Sequence, residues 1–266
     1  MNKVAMEKGN LPLFITCTFP DAVPEPKDVP RIWDNFVRAL EKFCPEVGLI
    51  WKKELKERKS GEQSEGKIVP HFHALTWGVN LRIPLRSRRG EWFKITRTEK
   101  GWHYQIFGVN RHTGERISIE DVTYPHDFQI PFMWLLSALW YEAVGSGDAR
   151  HFAAGTNVSE VKSVNGVRFY VSKYMGKECE AGSPWASGRW WGVRGRRWIP
   201  WGERTVIHVN RKAVVRLRRL ARRYIKATSR RKLKCTWATV NLFVNSSAGW
   251  LRCVEWLSGL HDERPG

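Results

Sequence analysis

The chain lacks the cysteine pairs that staple a small fold or clasp zinc. Its five cysteines, Cys17, Cys44, Cys179, Cys235 and Cys253, are scattered, and no Cys-x-x-Cys occurs. That excludes a disulfide framework and a cysteine zinc knuckle. There is no apolar run of about 18 residues and no signal-peptide pattern, so a reducing, cytoplasmic setting is expected. Neither end carries the basic amphipathic or lipidated segment of a membrane-surface protein, and no membrane partner is expected. A Gly-x-x-x-x-Gly-Lys-Ser/Thr phosphate loop is missing, so no helicase or ATPase activity is expected. Internal repeats and low-complexity linkers are missing too. Acidic residues are scarce: 26 Asp and Glu stand against 45 Lys and Arg, giving a net charge of +19 and a pI near 10.1. A field of that sign recruits polyanions, nucleic acid first.

What is present suffices for one large domain with appendages. There are 266 residues, 42% of them hydrophobic. Leu11 to Phe19 reads as a strand with Thr16 and Thr18 on one face and Ile15, Cys17 and Phe19 on the other. Four prolines mark a loop, and Val29 to Phe43 has helical spacing in Ile32, Trp33, Phe36, Val37, Leu40 and Phe43. Val47 to Leu55 is a second strand, Lys56 to Lys67 a polar hairpin loop, and Ile68 to Trp77 a third strand. Residues 80–130 read as an inserted hairpin with short strands at Trp92–Ile95 and Tyr104–Phe107. Pro131 to Val144 is an apolar helix ended by glycines, and Asn157 to Val164 a strand. Val167 to Lys177 is the next helix, and Gly188 to Trp198 a Trp- and Arg-rich strand-turn-strand. A strand at Thr205–Val209, a helix at Arg211–Lys226 and a closing strand and helix over 235–260 complete the reading. From Arg204 to Lys234 there are 13 Lys or Arg and no acid, a one-sign run that an anionic partner explains better than a solvated face.

The chemistry centres on His71-Phe72-His73. On a strand, the two histidines share a face and Phe72 takes the other. An isolated His-x-His also fits two histidines hydrogen-bonded within a sheet. A third group changes its meaning: Glu54 lies late in the preceding strand, which a hairpin makes the antiparallel neighbour. Two imidazoles and a carboxylate leave open positions on a divalent ion, with Mg²⁺ or Mn²⁺ the better match to phosphate chemistry. In the helix from Val167, Tyr170 and Tyr174 lie one turn apart, flanked by Lys173 and Lys177. A tyrosine attacking a phosphodiester keeps the bond energy as a phosphotyrosine and releases a 3′ hydroxyl, so the step is reversible. Two tyrosines permit two such steps in sequence.

Three ordered motifs resemble the HUH endonuclease superfamily, in the rolling-circle branch that includes phage and plasmid replication initiators of the two-tyrosine type. They are Phe14-Ile15-Thr16-Cys17-Thr18-Phe19, Pro70-His71-Phe72-His73, and Tyr170-Val171-Ser172-Lys173-Tyr174-Met175-Gly176-Lys177, spread over residues 11–178. The resemblance implies an α+β fold: a central antiparallel sheet with helices on one face, HUH/RRM-like with a ferredoxin-like core, over residues 1–180. Residues 181–266 are then a basic extension packed on it. Glu54, His71 and His73 are the implied metal ligands. Tyr174 or Tyr170 is the nucleophile, with Lys177 three residues beyond Tyr174 and Lys173 in the same relation to Tyr170. Thr16, Thr18, Arg168, Arg189, Arg194, Arg196, Arg197, Arg216, Arg218, Arg219, Arg222 and Arg223 are expected against DNA. The implied activity is site-specific nicking and strand transfer on a single-stranded or hairpin origin of a plasmid or phage. A bacterial host's helicase and polymerase would be the partners. A two-tyrosine transposase and a non-catalytic nucleic-acid-binding protein are the competing readings.

Overall fold

The structure, a computed structural model, describes residues 11–58, 68–163, 166, 167, 170, 188–201, 215 and 219. Backbone contacts divide the chain into two units, Met1–Gly202 and Glu203–Gly266. The first is α+β, built on a five-stranded antiparallel sheet. Its strands are β1 (Leu13–Thr18), β2 (Gly48–Glu57), β3 (Ile68–Trp77), β9 (Thr156–Glu160) and β10 (Trp191–Arg194), in the order β10-β2-β3-β1-β9. Residues Trp191–Arg194, expected in an extension beginning at 181, pair with β2 and supply the edge of this sheet. The second half of the expected strand-turn-strand is also replaced: Gly195, at φ 56°, turns the chain into a 3₁₀ turn, Arg196–Trp198.

Two helices cover one face of the sheet. Helix α1 (Val29–Phe43) starts with a proline in its first turn and buries Ile32, Trp33, Phe36, Val37, Leu40 and Phe43, the stripe its spacing predicts. Helix α2 (Phe132–Val144) ends at Gly145 in the left-handed conformation. Between them Phe72 lies flat on Trp33, ring centroids 4.2 Å apart and planes within 8°, and meets Trp51 and Trp140 edge-on. The residue between the two histidines is thus the anchor of β3 in the core. Cys17 and Cys44 are buried thiols on this side; burial pushes the Cys44 thiol up to about 12, with Arg86 opposing, so neither is a nucleophile at neutral pH.

The segment between β3 and α2 is more than a hairpin. Strands β4 (Arg82–Pro84) and β8 (Gln129–Pro131) form a ribbon at its base. Beyond it, β5 (Phe93–Thr98), β6 (Gly101–Val109) and β7 (Arg116–Tyr124) make a three-stranded meander. A register shift at Ile106/Phe107 breaks the alternation that would mark β7 as a strand in the sequence. Glu142 of α2 ties the meander down by accepting from the backbone N–H of Glu91, Trp92 and Phe93 at 2.7–2.9 Å. Among the described residues, no helix is long and apolar enough to cross a membrane.

Candidate metal and phosphate site

The sheet face away from α1 and α2 gathers the candidate residues by strand register alone. Thr18, His71 and Glu54 form one row across β1, β3 and β2. Thr16, His73 and Lys52 form the next row. Side chains directly opposite in antiparallel strands sit on the same face, so the two rows present two imidazoles and a carboxylate side by side. His73 Nε2 lies 3.2 Å from Glu54 Oε2, and the His71 and His73 rings stack with centroids 6.3 Å apart. A 3.2 Å separation of donors is close to what neighbouring ligands take on a small divalent ion with bonds of about 2.1 Å. Among the described residues no three His, Cys, Asp or Glu side chains are gathered as tightly as around an ion. The arrangement is a closed Glu54–His73 pair with His71 one row away.

Both rings are held from behind. Thr16 Oγ1 meets His73 Nδ1 at 3.1 Å, and Thr18 Oγ1 meets His71 Nδ1 at 2.9 Å. A hydroxyl can donate to or accept from a ring nitrogen, so each threonine fixes its ring in either tautomer. With Nδ1 engaged, a ligand would take Nε2, the usual division of labour when a histidine binds metal. Thr16 and Thr18, expected against DNA, have their hydroxyls turned to the histidines.

Thr18 is itself pinned. Its carbonyl accepts from Trp140 Nε1–H at 2.8 Å and from His151 Nε2–H at 3.0 Å. His151, on helix α3 (Ala149–Ala154), contacts Ser146 Oγ through Nδ1 at 2.8 Å. Neither His151 nor Trp140 is marked in the sequence as belonging to the site, because a link to residue 18 spans more than 120 positions. His151 is 6% exposed, and burial pushes it down to about 4, with the Thr18 carbonyl and Asp148 opposing. Unfolded, the same imidazole titrates near its ordinary value of about 6.5. Between those values the unfolded chain binds the extra proton, so stability falls as pH falls. The expected loss is about 3 kcal/mol from pH 7 to pH 4, at about 1.4 kcal/mol per unit of the shift. Denaturant titrations over that range check it: His151→Gln should remove most of the slope.

The aromatic end of the face carries Tyr170. Its ring stacks on Phe14 at 4.1 Å with planes 20° apart, and Phe14 in turn stacks on His73 at 5.6 Å. Phe14, Leu75, Trp77, Val161, Val167 and Ile199 form a small second core there, with Tyr170 against it. Phe14 was legible as strand but not as the spacer between histidine and tyrosine. Tyr174, Lys173, Lys177 and Arg168 lie outside the described residues. So do Arg216, Arg218, Arg222 and Arg223, and the elements expected over 205–209, 211–226 and 235–260; Arg219 is described and exposed.

The remaining arginines divide. Arg194 points to the helical side, where it bonds Glu41 at 2.9 Å and faces Asp34 at 3.9 Å, so it ties β10 to α1. Arg196 and Arg197 stack over Trp201 and Trp198. At the other end of β1, a cleft of about 280 Å³ is lined by Thr18, Asp21, Arg58, Arg150 and His151 among others. No protein-family model, curated protein or solved structure matches the chain.

Proposed function

We propose that the chain is a metal-dependent endonuclease and strand transferase of the HUH type, which nicks single-stranded origin DNA through a 5′-phosphotyrosine and starts rolling-circle replication. The observation that carries this reading is the shared sheet face, on which Glu54 and His73 touch, His71 stands beside them and the Tyr170 ring lies one aromatic spacer away. The antiparallel sheet with helices on the opposite face is compatible with the HUH fold, and the net charge of +19 suits a DNA substrate.

Glu54, His71 and His73 would hold the ion, Mg²⁺ or Mn²⁺, which when bound supplies Lewis-acid polarisation of a phosphate oxygen. Thr16 and Thr18 hold the imidazoles in orientation, and Trp140 and His151 hold Thr18. A tyrosine Oη, from Tyr170 or Tyr174, attacks the phosphorus and gives up its proton. The bond from phosphorus to the 3′ oxygen breaks, and that oxygen leaves and takes up a proton as a 3′ hydroxyl. The 5′ phosphate remains on the tyrosine. Lys173 and Lys177 would steady the phosphate charge. Religation is the same path reversed, with a 3′ hydroxyl as the nucleophile.

The test is incubation of the full chain with single-stranded hairpin oligonucleotides and Mn²⁺. A covalent protein–DNA adduct that EDTA abolishes is expected; binding of DNA with no adduct in any metal would favour a non-catalytic binding protein. A second expectation follows from the threonines. Thr18→Val keeps the strand and the shape but removes the contact to His71 Nδ1. Metal-dependent nicking should drop by about 10–100-fold, the range for lost support behind a metal ligand. Nicking rates at saturating and limiting Mn²⁺ measure it, and a drop confined to limiting metal would locate the defect in ion binding.

A further inference from the structure

The end of the central sheet away from Thr18 and His71 holds a cavity that the proposed reaction does not use. It measures about 520 Å³, within the range of about 300–1,000 Å³ usual for ligand pockets. It lies where β1 begins and where β3 and β9 end: Leu13 stands opposite Thr76 on one side and Glu160 on the other. Gly78, at φ 67°, turns the chain after Trp77 so tightly against the Glu46 carbonyl that no side chain fits there. That turn brings Glu46 to the same cavity.

Three features of the wall define what fits. At depth, Thr76 and Trp77 are each 1% exposed, and neither the Thr76 hydroxyl nor the Trp77 indole N–H has a hydrogen-bond partner among the described residues. A buried donor without an acceptor is a standing cost that a bound acceptor relieves. At the mouth, Glu46, Glu160 and Lys162 are exposed and make no ion pair among the described residues. Carboxylates thus outnumber the ammonium here, on a chain whose net charge is +19. The rest of the wall is apolar, with Leu13, Val79 and Val161, and it runs out onto exposed Leu81. The Leu81 carbonyl accepts from the Phe132 N–H at 2.9 Å, which sets Leu81 beside Met133 and Trp134 at the start of α2, both exposed. Large apolar side chains exposed together and rimmed by polar groups mark a docking surface.

Each simpler occupant leaves part of this wall unmatched. DNA would bring its phosphates against the carboxylates. A metal ion or a polyamine offers no acceptor to Trp77 and nothing to the apolar wall. A hydrocarbon satisfies neither the N–H nor the hydroxyl. A polypeptide segment with an apolar residue next to a basic one uses every feature. Its backbone carbonyls accept from Trp77 Nε1–H and Thr76 Oγ1–H, its apolar side chain fills the wall, and its cation meets Glu46 and Glu160. We propose that this end of the sheet docks a segment of a partner protein with that chemistry, an apolar residue beside an arginine or lysine. Leu81, Met133 and Trp134 extend the contact beyond the cavity. None of these residues belongs to the Glu54–His73 pair, so the assignment does not depend on nicking.

NMR of the full chain with isotope-labelled tryptophan tests it, by following the Trp77 indole N–H, which is assigned by its loss in Trp77→Phe. The probes are N-acetyl-Leu-Arg amide, N-acetyl-Leu-Glu amide and a short oligo-dT. The Leu-Arg probe should move the Trp77 resonance saturably at about millimolar concentration or below. The Leu-Glu probe should bind at least about 10-fold more weakly, because it turns attraction at the mouth into repulsion. Oligo-dT should leave this resonance in place. Glu46→Gln combined with Glu160→Gln should weaken the Leu-Arg probe by about 3–10-fold, the scale of two exposed ion pairs. Thr76→Val, which keeps the shape and removes the hydroxyl, should weaken it by about 3–10-fold as well. Both glutamates are exposed, so their double variant carries the test even if Trp77→Phe folds poorly, with affinity read from whichever indole resonance moves. No movement up to about 10 mM, equal affinity for the two peptides, unaltered affinity in the glutamate variant, or a Trp77 shift with oligo-dT would overturn the assignment. Nicking in Mn²⁺ should be unchanged in the glutamate variant, so failure of the docking site and failure of the nicking reading are told apart.

Discussion

Replacing Tyr170 and Tyr174 together with phenylalanine is expected to abolish the covalent adduct and to lower nicking by about 10⁴-fold or more, the order lost when a covalent nucleophile is deleted. Affinity for the same oligonucleotide should stay within about threefold, because most of it would come from phosphate contacts elsewhere on a strongly basic chain. The reason to choose phenylalanine is structural. Tyr170 is packed by its ring on Phe14, and that stack survives loss of the hydroxyl. At Tyr170, a fall in activity then does not come from a lost ring stack. Each single variant should retain nicking through the other tyrosine and lose the coupled second transfer, which a two-oligonucleotide exchange assay reads.

The second large effect belongs to the ligand face, and it has an internal control one residue away. His73→Ala or Glu54→Ala should lower metal-dependent nicking by more than about 100-fold, beyond the range for removing a group that only supports a ligand. Thermal stability should change little, because these side chains stand on the face opposite the main core. Phe72→Ala should do the reverse to stability. Phe72 is 1% exposed and stacked on Trp33, and its removal should cost about 3–5 kcal/mol of folding free energy. Alternation along one strand would thus separate activity from stability at adjacent positions. Thermal melts and nicking rates on the same preparations measure both.

The alternation itself was legible in the sequence. His71, Phe72 and His73 alternate on a strand, and a polar hairpin loop places Glu54 opposite, so period and topology together specify the row. The register gives this pairing, Glu54 with His71 and Lys52 with His73, while the carboxylate reaches along to His73. Helix α1 was legible for a similar local reason, its apolar stripe. What could not be read depends on contacts between distant segments. A strand was expected within residues 188–198, but not its partner: β10 joins β2 across some 140 positions, a pairing that no local pattern announces. Strand β7 hides behind a register shift. His151 and Trp140 enter the site only through the Thr18 carbonyl, a backbone atom that no side-chain motif reveals. Arg194, singled out on charge alone, is bonded to Glu41 of α1, a contact between segments far apart in the chain.

The most direct measurement is mass spectrometry of the tryptic adduct formed on a 5′-to-3′ labelled oligonucleotide in Mn²⁺. Cleavage after Lys173 separates Tyr170 from Tyr174, so the modified peptide identifies the nucleophile. A 5′-phosphate linked to one of these two tyrosines is expected, with a free 3′ hydroxyl on the released fragment. A label on any other residue, a 3′-phosphate linkage, or nicking at full rate with no covalent peptide would contradict it.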